Sequence, residues 1–396
     1  MQGGATTNGE ALPRRRFIKQ TALAAAALSL PAASLAAQSE KRVSTASLVI
    51  MQGDGLGLTP LEAADELARL AASRGPMADW YGLGGEVDEV EAWFARDLGK
   101  ERALFMPTGT LANQLALRAL AGERRRVVVQ DVSHVYNDTG DASQALSALT
   151  LVPLAPDRAS FTWRDVERVL HRTESGRVAA PVGAISIESP VRRCAGELFD
   201  RDEMMRICAR ARERGIRSHL DGARLYLASA YTGISPADYA APFDTVYVSL
   251  WKCFNSLNGA ILAGPRALLD PLVHTRRMFG GALFNAWPFA LLARHYAEGF
   301  VARLTRAISV SEAFIGALPA SVRVERIANG SNIFRLHVPA PRAQGLRERL
   351  RTSGVVIASP VAGMNDEATL AVLVNETWNR RSGAELAGLF RAALGA

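Results

Sequence analysis

Short apolar segments alternate with amphipathic segments through most of the chain, and this alternation predicts the fold class. Apolar residues recur at helical spacing in residues 61–72, 87–98, 110–121 and 201–214. The short apolar segments are predicted as strands and comprise residues 102–106, 126–130, 182–188, 216–221, 245–250 and 259–263. Helices that alternate with such strands predict an α/β fold, with a mainly parallel central sheet covered on both faces.

The C-terminal part of the chain has a different pattern. A long helical segment over residues 287–317 leads into shorter strand-like and helix-like segments at 331–338, 343–353, 370–374 and 383–394. This order predicts a small C-terminal α+β domain over residues 301–396. It follows a large domain over residues 45–300, which begins with an N-terminal arm.

Residues 40–60, at the start of this arm, contain glycines at positions 53, 55 and 57. A dinucleotide-binding fingerprint would need a strand before these glycines and a helix that opens at them. Neither pattern is present, so the segment is predicted as a flexible loop.

Residues 1–37 have the parts of an export signal. The basic sequence Arg-Arg-Arg-Phe-Ile-Lys at 14–19 precedes an apolar segment at 21–30 and a small-residue site that ends at Ala36. Adjacent arginines followed by Phe-Ile-Lys resemble the twin-arginine export consensus. The Ala-rich segment is shorter than the ~20 residues that span a bilayer, which argues against a retained anchor. We expect a periplasmic protein, cleaved near Ala36 and without stable membrane association.

Composition narrows the function classes. The 396 residues are 48% hydrophobic and 21% charged, as in ordinary globular proteins. The net charge is +7, but the arginines are scattered among acids without a basic run interleaved with aromatics, so no nucleic-acid partner is expected. The cysteines 194, 208 and 253 lack paired or metal-type spacing. They are therefore predicted as buried thiols, and neither a disulfide framework nor a metal site is expected.

Candidate chemistry lies after the predicted strands, because ligands of open parallel sheets bind beyond the carboxyl ends of strands. Thr108, Gly109 and Thr110 precede a helix, where free backbone N–H groups form a phosphate cradle; simple N-capping is the alternative. His134 follows the strand at 126–130 and is suited to stacking on a flat ring or to proton transfer. A capping or core histidine is the alternative.

Two further strand ends carry charged residues. Asp221 ends an apolar strand, where a buried carboxylate needs a cation or donor, and a protonated pyridine nitrogen would satisfy it. Arg224 could bind a substrate carboxylate with two hydrogen bonds, or form an internal salt bridge with Asp221. Lys252 also ends a buried strand, where desolvation lowers the pKa of the amine and makes it competent for a Schiff base. A surface lysine is the alternative.

Together these segments resemble the threonine aldolases, within the β-eliminating lyases of pyridoxal phosphate (PLP) fold type I. The resemblance is carried by Phe-Met-Pro-Thr-Gly-Thr-Leu-Ala-Asn-Gln-Leu-Ala-Leu at 105–117 and His-Leu-Asp-Gly-Ala-Arg-Leu at 219–225. Residues 81–91 and 246–264 support it. By this resemblance the cofactor is pyridoxal 5'-phosphate. Its implied contacts are Thr108, Gly109 and Thr110 with the phosphate, His134 with the ring, Asp221 with the ring nitrogen and Lys252 as the Schiff-base lysine.

The resemblance further implies retro-aldol cleavage of a threonine-like β-hydroxy-α-amino acid to glycine and an aldehyde. Lys252 and His134 are the implied catalytic residues, and Arg224 is the implied ligand of the substrate carboxylate. A homodimer or homotetramer is expected by analogy. The alternatives are another PLP reaction on the same scaffold, namely β-elimination, racemisation or transamination, and a non-catalytic exported homologue.

The chain departs from the family pattern around the substrate. Trp251 and Cys253 flank Lys252 in place of the usual serine and glycine, and Ser189 follows Glu188 in place of asparagine. The family's Arg-Ser-Asp-Thr segment has no clear counterpart after residue 41, and its second carboxylate-binding arginine is missing from 369–374. We hypothesise that Arg192 or Arg193 replaces that arginine.

Overall fold

The described residues form three sheets, namely a large mixed sheet, a small antiparallel sheet and a two-stranded parallel one. The computed structural model describes residues 44–363 and 366–395, so the predicted export signal lies outside the described residues. In chain order, the strands are β1 (Val49–Ile50), β2 (Arg102–Met106), β3 (Arg126–Gln130), β4 (Thr150–Leu154), β5 (Val182–Glu188), β6 (Arg217–Asp221), β7 (Thr245–Ser249), β8 (Ala260–Gly264), β9 (Arg323–Arg326), β10 (Ile333–Pro339), β11 (Val355–Val356), β12 (Val361–Ala362) and β13 (Glu367–Leu373).

Helices cover the faces of the large sheet and flank the small one. In chain order, they are α1 (Pro60–Arg74), α2 (Gly85–Asp97), α3 (Gly109–Ala121), α4 (His134–Asn137), α5 (Ala142–Ser147), α6 (Trp163–Glu174), α7 (Arg201–Glu213), α8 (Leu225–Thr232), α9 (Pro236–Ala240), α10 (Leu250–Cys253), α11 (Arg266–Met278), α12 (Trp287–Ala297), α13 (Phe300–Gly316), α14 (Ala340–Ala343), α15 (Leu346–Thr352) and α16 (Gly383–Leu394). No helix of the described residues combines the length and apolarity that crossing a membrane requires.

The large sheet has the strand order β2-β8-β7-β6-β5-β3-β4. Only β8 runs antiparallel to its neighbours; the other strands all point the same way. β5 is buried along its whole length, as expected for a parallel strand covered on both faces. The predicted α/β fold with a mainly parallel central sheet is confirmed.

The small sheet has the order β12-β13-β10-β9 and is antiparallel. Along β10, Phe334, Leu336 and Val338 are buried, while the residues between them are partly exposed. This period of two marks a strand with one face on a core, here shared with α15 and α16. The predicted C-terminal α+β region is therefore observed. The predicted long helix at 287–317 is two helices, because Gly299 takes a left-handed φ of 71° between them.

The N-terminal arm is more ordered than a flexible loop. β1 pairs in parallel with β11, so Val49 lies opposite Val355 although far from it in sequence. Residues 51–59 are irregular as predicted, but the Leu56 N–H donates to Asn255 Oδ1 at 2.8 Å, which fastens this loop beside α10. The strand β1 and the contact with Asn255 were not predicted, because their partners are distant in sequence.

The three cysteines are free thiols. Cys208 and Cys253 are buried as predicted, whereas Cys194 is only partly buried. It lies in the short 3-10 helix Arg192–Cys194, which follows β5. Among the described residues, no group of His, Cys, Asp and Glu side chains is arranged to hold a metal ion.

Candidate active site

A cavity of about 380 Å³ opens at the carboxyl ends of the parallel strands. The parallel directions of β2, β3, β5, β6 and β7 bring their carboxyl ends to one edge of the sheet. All seven predicted site residues line this cavity. Its lining residues are Thr108, Gly109, Thr110, His134, Glu188, Arg192, Asp221, Ala223, Arg224, Tyr247, Trp251, Lys252 and Asn258.

The start of α3 forms one wall. Thr108 is extended, with φ −141° and ψ 152°, and its side chain accepts a hydrogen bond from the Leu111 N–H at 3.2 Å. Thr108 is thus an N-cap, as the alternative reading predicted, and the backbone of Gly109 and Thr110 begins the helix at the cavity. The first N–H groups of a helix have no intrahelical acceptor, so this wall can receive an anion.

Gly109 is required at this wall for steric reasons. A Cβ atom at this position would lie 2.0 Å from Tyr247 Oη and 2.5 Å from its Cζ. Tyr247 belongs to β7 and is only 3% exposed, so its ring has little room to move. The glycine therefore lets the helix start approach the floor of the cavity.

Asp221 ends β6 and is 2% exposed. Its Oδ2 accepts a hydrogen bond from Asn113 Nδ2 at 2.6 Å, and its Oδ1 accepts one from the Ala223 N–H at 3.2 Å. Within the described part of the chain it forms no salt bridge, so the predicted alternative of an Asp221–Arg224 pair is wrong. A buried carboxylate that lines a cavity and forms no salt bridge among the described residues suits a positively charged ligand atom.

Arg224 pairs instead with Asp54 of the N-terminal arm. Its Nε donates to both carboxylate oxygens at 3.1 and 3.0 Å, and its Nη2 donates to Oδ2 at 2.8 Å. Both side chains are largely buried, with 16% and 10% exposed. The arm therefore contributes to the site through a charge that fixes the guanidinium at the cavity wall. Sequence reasoning missed this contact.

Lys252 lies in α10, directly after β7, and is partly buried. Burial lowers the pKa of this amine, and the cation of Arg224 lowers it further, against the opposing carboxylates of Asp221, Asp54 and Glu188. The simple surface lysine is excluded by this setting. Its Nζ lies 5.5 Å from the centroid of the Trp251 ring, which is itself half exposed at the mouth of the cavity.

Glu188 ends β5 opposite Asp221 in the strand register and is 5% exposed. Its Oε2 accepts from the His134 N–H at 2.6 Å, and its Oε1 accepts from the Arg192 N–H at 3.0 Å. Burial, and then the neighbouring charge of Asp221, raises the pKa of Glu188 to about 7. This carboxyl group joins two loops of the site. The signal that could have identified its role is a glutamate that ends a mostly apolar strand.

His134 begins α4 at the cavity wall, and its Nδ1 lies 3.2 Å from Asp138 Oδ2. Asp138 also bonds the guanidinium of Arg193 and lies 3.8 Å from Arg192 Nη1. Of Arg192 and Arg193, the two candidates to replace the missing family arginine, only Arg192 lines the cavity.

The residues present fit pyridoxal phosphate. The start of α3 offers N–H groups for the phosphate, Asp221 offers a carboxylate with free lone pairs for the ring nitrogen, and Lys252 offers an amine for the carbonyl carbon. Donors and acceptors of these three kinds line one cavity.

The chain is similar in sequence to low specificity L-threonine aldolases. The chain is 29% identical over 228 residues to the low specificity L-threonine aldolase of Saccharomyces cerevisiae, an alignment that covers 57% of this chain and 58% of the relative. The low specificity L-threonine aldolase of Escherichia coli is 24% identical over 285 residues, or 72% of this chain and 84% of that relative. The chain thus spans under three-fifths of the length of the yeast relative.

Among solved structures, a putative L-allo-threonine aldolase from Listeria monocytogenes aligns with a TM-score of 0.72 and 27% identity, over 88% of this chain and 96% of that chain. The profile of the beta-eliminating lyase family matches residues 59–361, which is more than half of the sequence. The chain therefore belongs to the beta-eliminating lyase family.

Proposed function

We propose that the protein is a PLP-dependent carbon–carbon lyase that cleaves a β-hydroxy-α-amino acid to glycine and an aldehyde. The observation that carries this proposal is the convergence of the α3 start, Asp221 and Lys252 on one cavity. The similarity to threonine aldolases over the same region supports the choice of reaction.

Thr108, Gly109 and Thr110 would hold the phosphate, and Asp221 would keep a proton on the ring nitrogen. When bound, the cofactor supplies an electron sink for the charge that develops at the amino acid's Cα. Lys252, whose pKa burial lowers, would provide the amine for covalent attachment of the cofactor.

Arg224 and Arg192 are positioned to bind the substrate carboxylate. Asp54 engages Nε and Nη2 of Arg224, and Nη1 of Arg224 has no hydrogen-bond partner among the described residues. Arg192 lines the same cavity, and its side chain is 60% exposed. A guanidinium with a free donor can form the charge-assisted bond that a carboxylate requires.

His134 is the base of the proposed reaction. When Nδ1–H donates to Asp138, the lone pair of the neutral ring lies on Nε2, which can accept the proton of a substrate β-hydroxyl group. Glu188 holds the His134 backbone and therefore the start of this short helix. The ring is thus oriented from two sides.

The direct test is to incubate the PLP-loaded protein with threonine and with phenylserine, and to measure aldehyde and glycine. We expect both products in equal amounts, and at least about a hundredfold lower rate for His134→Asn, which removes general-base catalysis. Asp238→Asn, at an exposed position of α9, serves as the control for surface changes. Absence of aldehyde with every substrate contradicts the proposal.

Racemisation is a second candidate function. The relative named alanine racemase TOXG of Cochliobolus carbonum is 30% identical over 206 residues, which covers 52% of each chain. Interconversion of the alanine enantiomers without aldehyde release would select this candidate. Ammonia and a keto acid as products would instead indicate β-elimination, and a keto acid formed without release of ammonia would indicate transamination.

We also propose export and self-association. The twin-arginine pattern at 14–19 supports a periplasmic location, and fusion of residues 1–37 to a folded reporter tests it.

Met77, Trp80 and Phe284 expose 68%, 65% and 52% of their surface, and the Trp80 and Phe284 rings lie 5.1 Å apart. An exposed apolar patch of this kind supports a homodimer or homotetramer. A monomer in light scattering contradicts it.

A further inference from the structure

A buried row of polar side chains lies behind Asp221, on the side away from the cavity lining. His219 and Asp221 are two residues apart on β6, so their side chains project from the same face of the sheet. α3 packs on β6, and Asn113, one turn after Gly109, reaches this face. The helix that begins at the proposed phosphate wall therefore also contacts Asp221, through Asn113.

The row consists of three hydrogen bonds between four buried side chains. Thr245 Oγ1 lies 2.8 Å from His219 Nδ1, His219 Nε2 lies 2.9 Å from Asn113 Oδ1, and Asn113 Nδ2 lies 2.6 Å from Asp221 Oδ2. Thr245 and His219 are fully buried, and Asn113 is 1% exposed.

The direction of each bond follows from the chemistry of the groups. A carboxylate only accepts, so Asn113 must turn its NH2 toward Asp221 and its carbonyl oxygen toward His219. His219 then donates from Nε2 and accepts at Nδ1 from the Thr245 hydroxyl. Burial lowers the pKa of His219 to about 4, so the ring is neutral and carries a single proton. All three donors point toward Asp221.

We propose that Asn113 and His219 are positioning residues that hold the Asp221 carboxylate as an acceptor aimed at the cofactor's ring nitrogen. The bond from Asn113 occupies Oδ2, and the Ala223 N–H occupies one lone pair of Oδ1. These two hydrogen bonds fix the orientation of the carboxylate plane and stabilise its negative charge. The remaining lone pairs of the carboxylate are free to accept a hydrogen bond from a protonated ring nitrogen. The inference rests on the proposed cofactor and does not depend on the reaction catalysed.

The test compares Asn113→Leu and His219→Phe with His219→Gln, whose amide retains a donor for Asn113. The matched control is Gln114→Leu, since Gln114 is also a buried amide of α3 but bonds Ser147 Oγ at 3.3 Å, away from the cofactor. Two quantities are measured, the dissociation constant of PLP and the ¹⁵N chemical shift of its labelled ring nitrogen.

We expect Asn113→Leu to weaken PLP binding about tenfold or more, the size of one hydrogen bond to a charged group, and to move the ¹⁵N shift toward the deprotonated ring. His219→Phe is expected to change the PLP dissociation constant and the ¹⁵N chemical shift in the same directions. His219→Gln and Gln114→Leu are expected to retain the wild-type ¹⁵N shift. If Asn113→Leu does not fold, the two His219 variants decide alone.

Wild-type values of the ¹⁵N shift in both Asn113→Leu and His219→Phe overturn the inference, even if both variants are less stable, because a merely structural row would change stability and not the ring proton. Failure of the wild-type protein itself to bind PLP is a different result. It would overturn the proposed cofactor and the inference together.

Discussion

Gly109→Ala tests the steric design of the phosphate wall. Gly109 is the first residue of α3, and its φ is not in the left-handed region, so alanine fits the backbone and is intrinsically the better helix former. The added Cβ would nevertheless lie 2.0 Å from Tyr247 Oη and 2.5 Å from Cζ, well inside van der Waals contact. Either the buried ring or the start of the helix must shift.

The cost follows from overpacking of a tight site. Insertion of one carbon into a packed region typically costs about 1–3 kcal/mol, which exceeds the gain in helix propensity of at most about 1 kcal/mol. We expect the free energy of unfolding to fall by about 1–2 kcal/mol. Because the displaced N–H groups belong to the phosphate wall, we expect the PLP dissociation constant to rise about tenfold, the equivalent of about 1.4 kcal/mol.

The assay combines denaturant unfolding of the apoprotein with a PLP titration. Gly388→Ala is the matched control, because Gly388 lies inside α16 with no atom within 4 Å of an added Cβ, and this change should stabilise by about 0.5–1 kcal/mol. Tyr247→Leu in the Gly109→Ala background should restore part of the lost affinity. Wild-type stability and affinity in Gly109→Ala would refute the steric argument.

Three further changes test other parts of the account. Asp54→Asn leaves the guanidinium of Arg224 without its carboxylate, so the free energy of unfolding should fall by about 2–3 kcal/mol; an unchanged value contradicts the ion pair. Burial raises the pKa of Glu188 to about 7, so its contribution to stability is present at acid pH and is lost as pH rises through 7. The wild-type advantage in free energy of unfolding over Glu188→Gln should therefore decrease as the pH rises from 4.5 to about 8, and parallel pH profiles of the two apoproteins contradict this. Trp251→Ser removes an aromatic surface from the cavity mouth, so the ratio of kcat/KM for phenylserine to that for threonine should fall about tenfold; an equal ratio shows that the indole does not touch the substrate.

The sequence predicted best those strands and helices whose own residues carry the signal, without dependence on a distant pairing partner. β5 is a mostly apolar strand, and both β5 and β6 end at a carboxylate on the edge of the sheet where the cavity opens. β4 escaped prediction because it is a short edge strand that contains Pro153, which weakens the strand signal. β1 escaped because it has two residues and depends on β11 for its hydrogen bonds.

The same division holds at the site. Lys252, Asp221 and the Thr108 turn were predictable because a polar group directly after a buried strand is locally unusual. Asp54 was not, since its partner Arg224 lies 170 residues away and the intervening pattern carries no trace of the contact. The bond between Asn113 and Asp221 likewise joins positions 108 residues apart, although both residues belong to segments already singled out.

The central claim is that PLP is carried by Lys252, and borohydride reduction of the PLP-loaded protein followed by peptide mapping tests it most directly. The account predicts a pyridoxyl group on the peptide that contains Lys252, and none there in Lys252→Ala. A pyridoxyl group on Lys100, the partly buried lysine that bonds the Phe243 carbonyl oxygen, or on no lysine at all, would contradict the account.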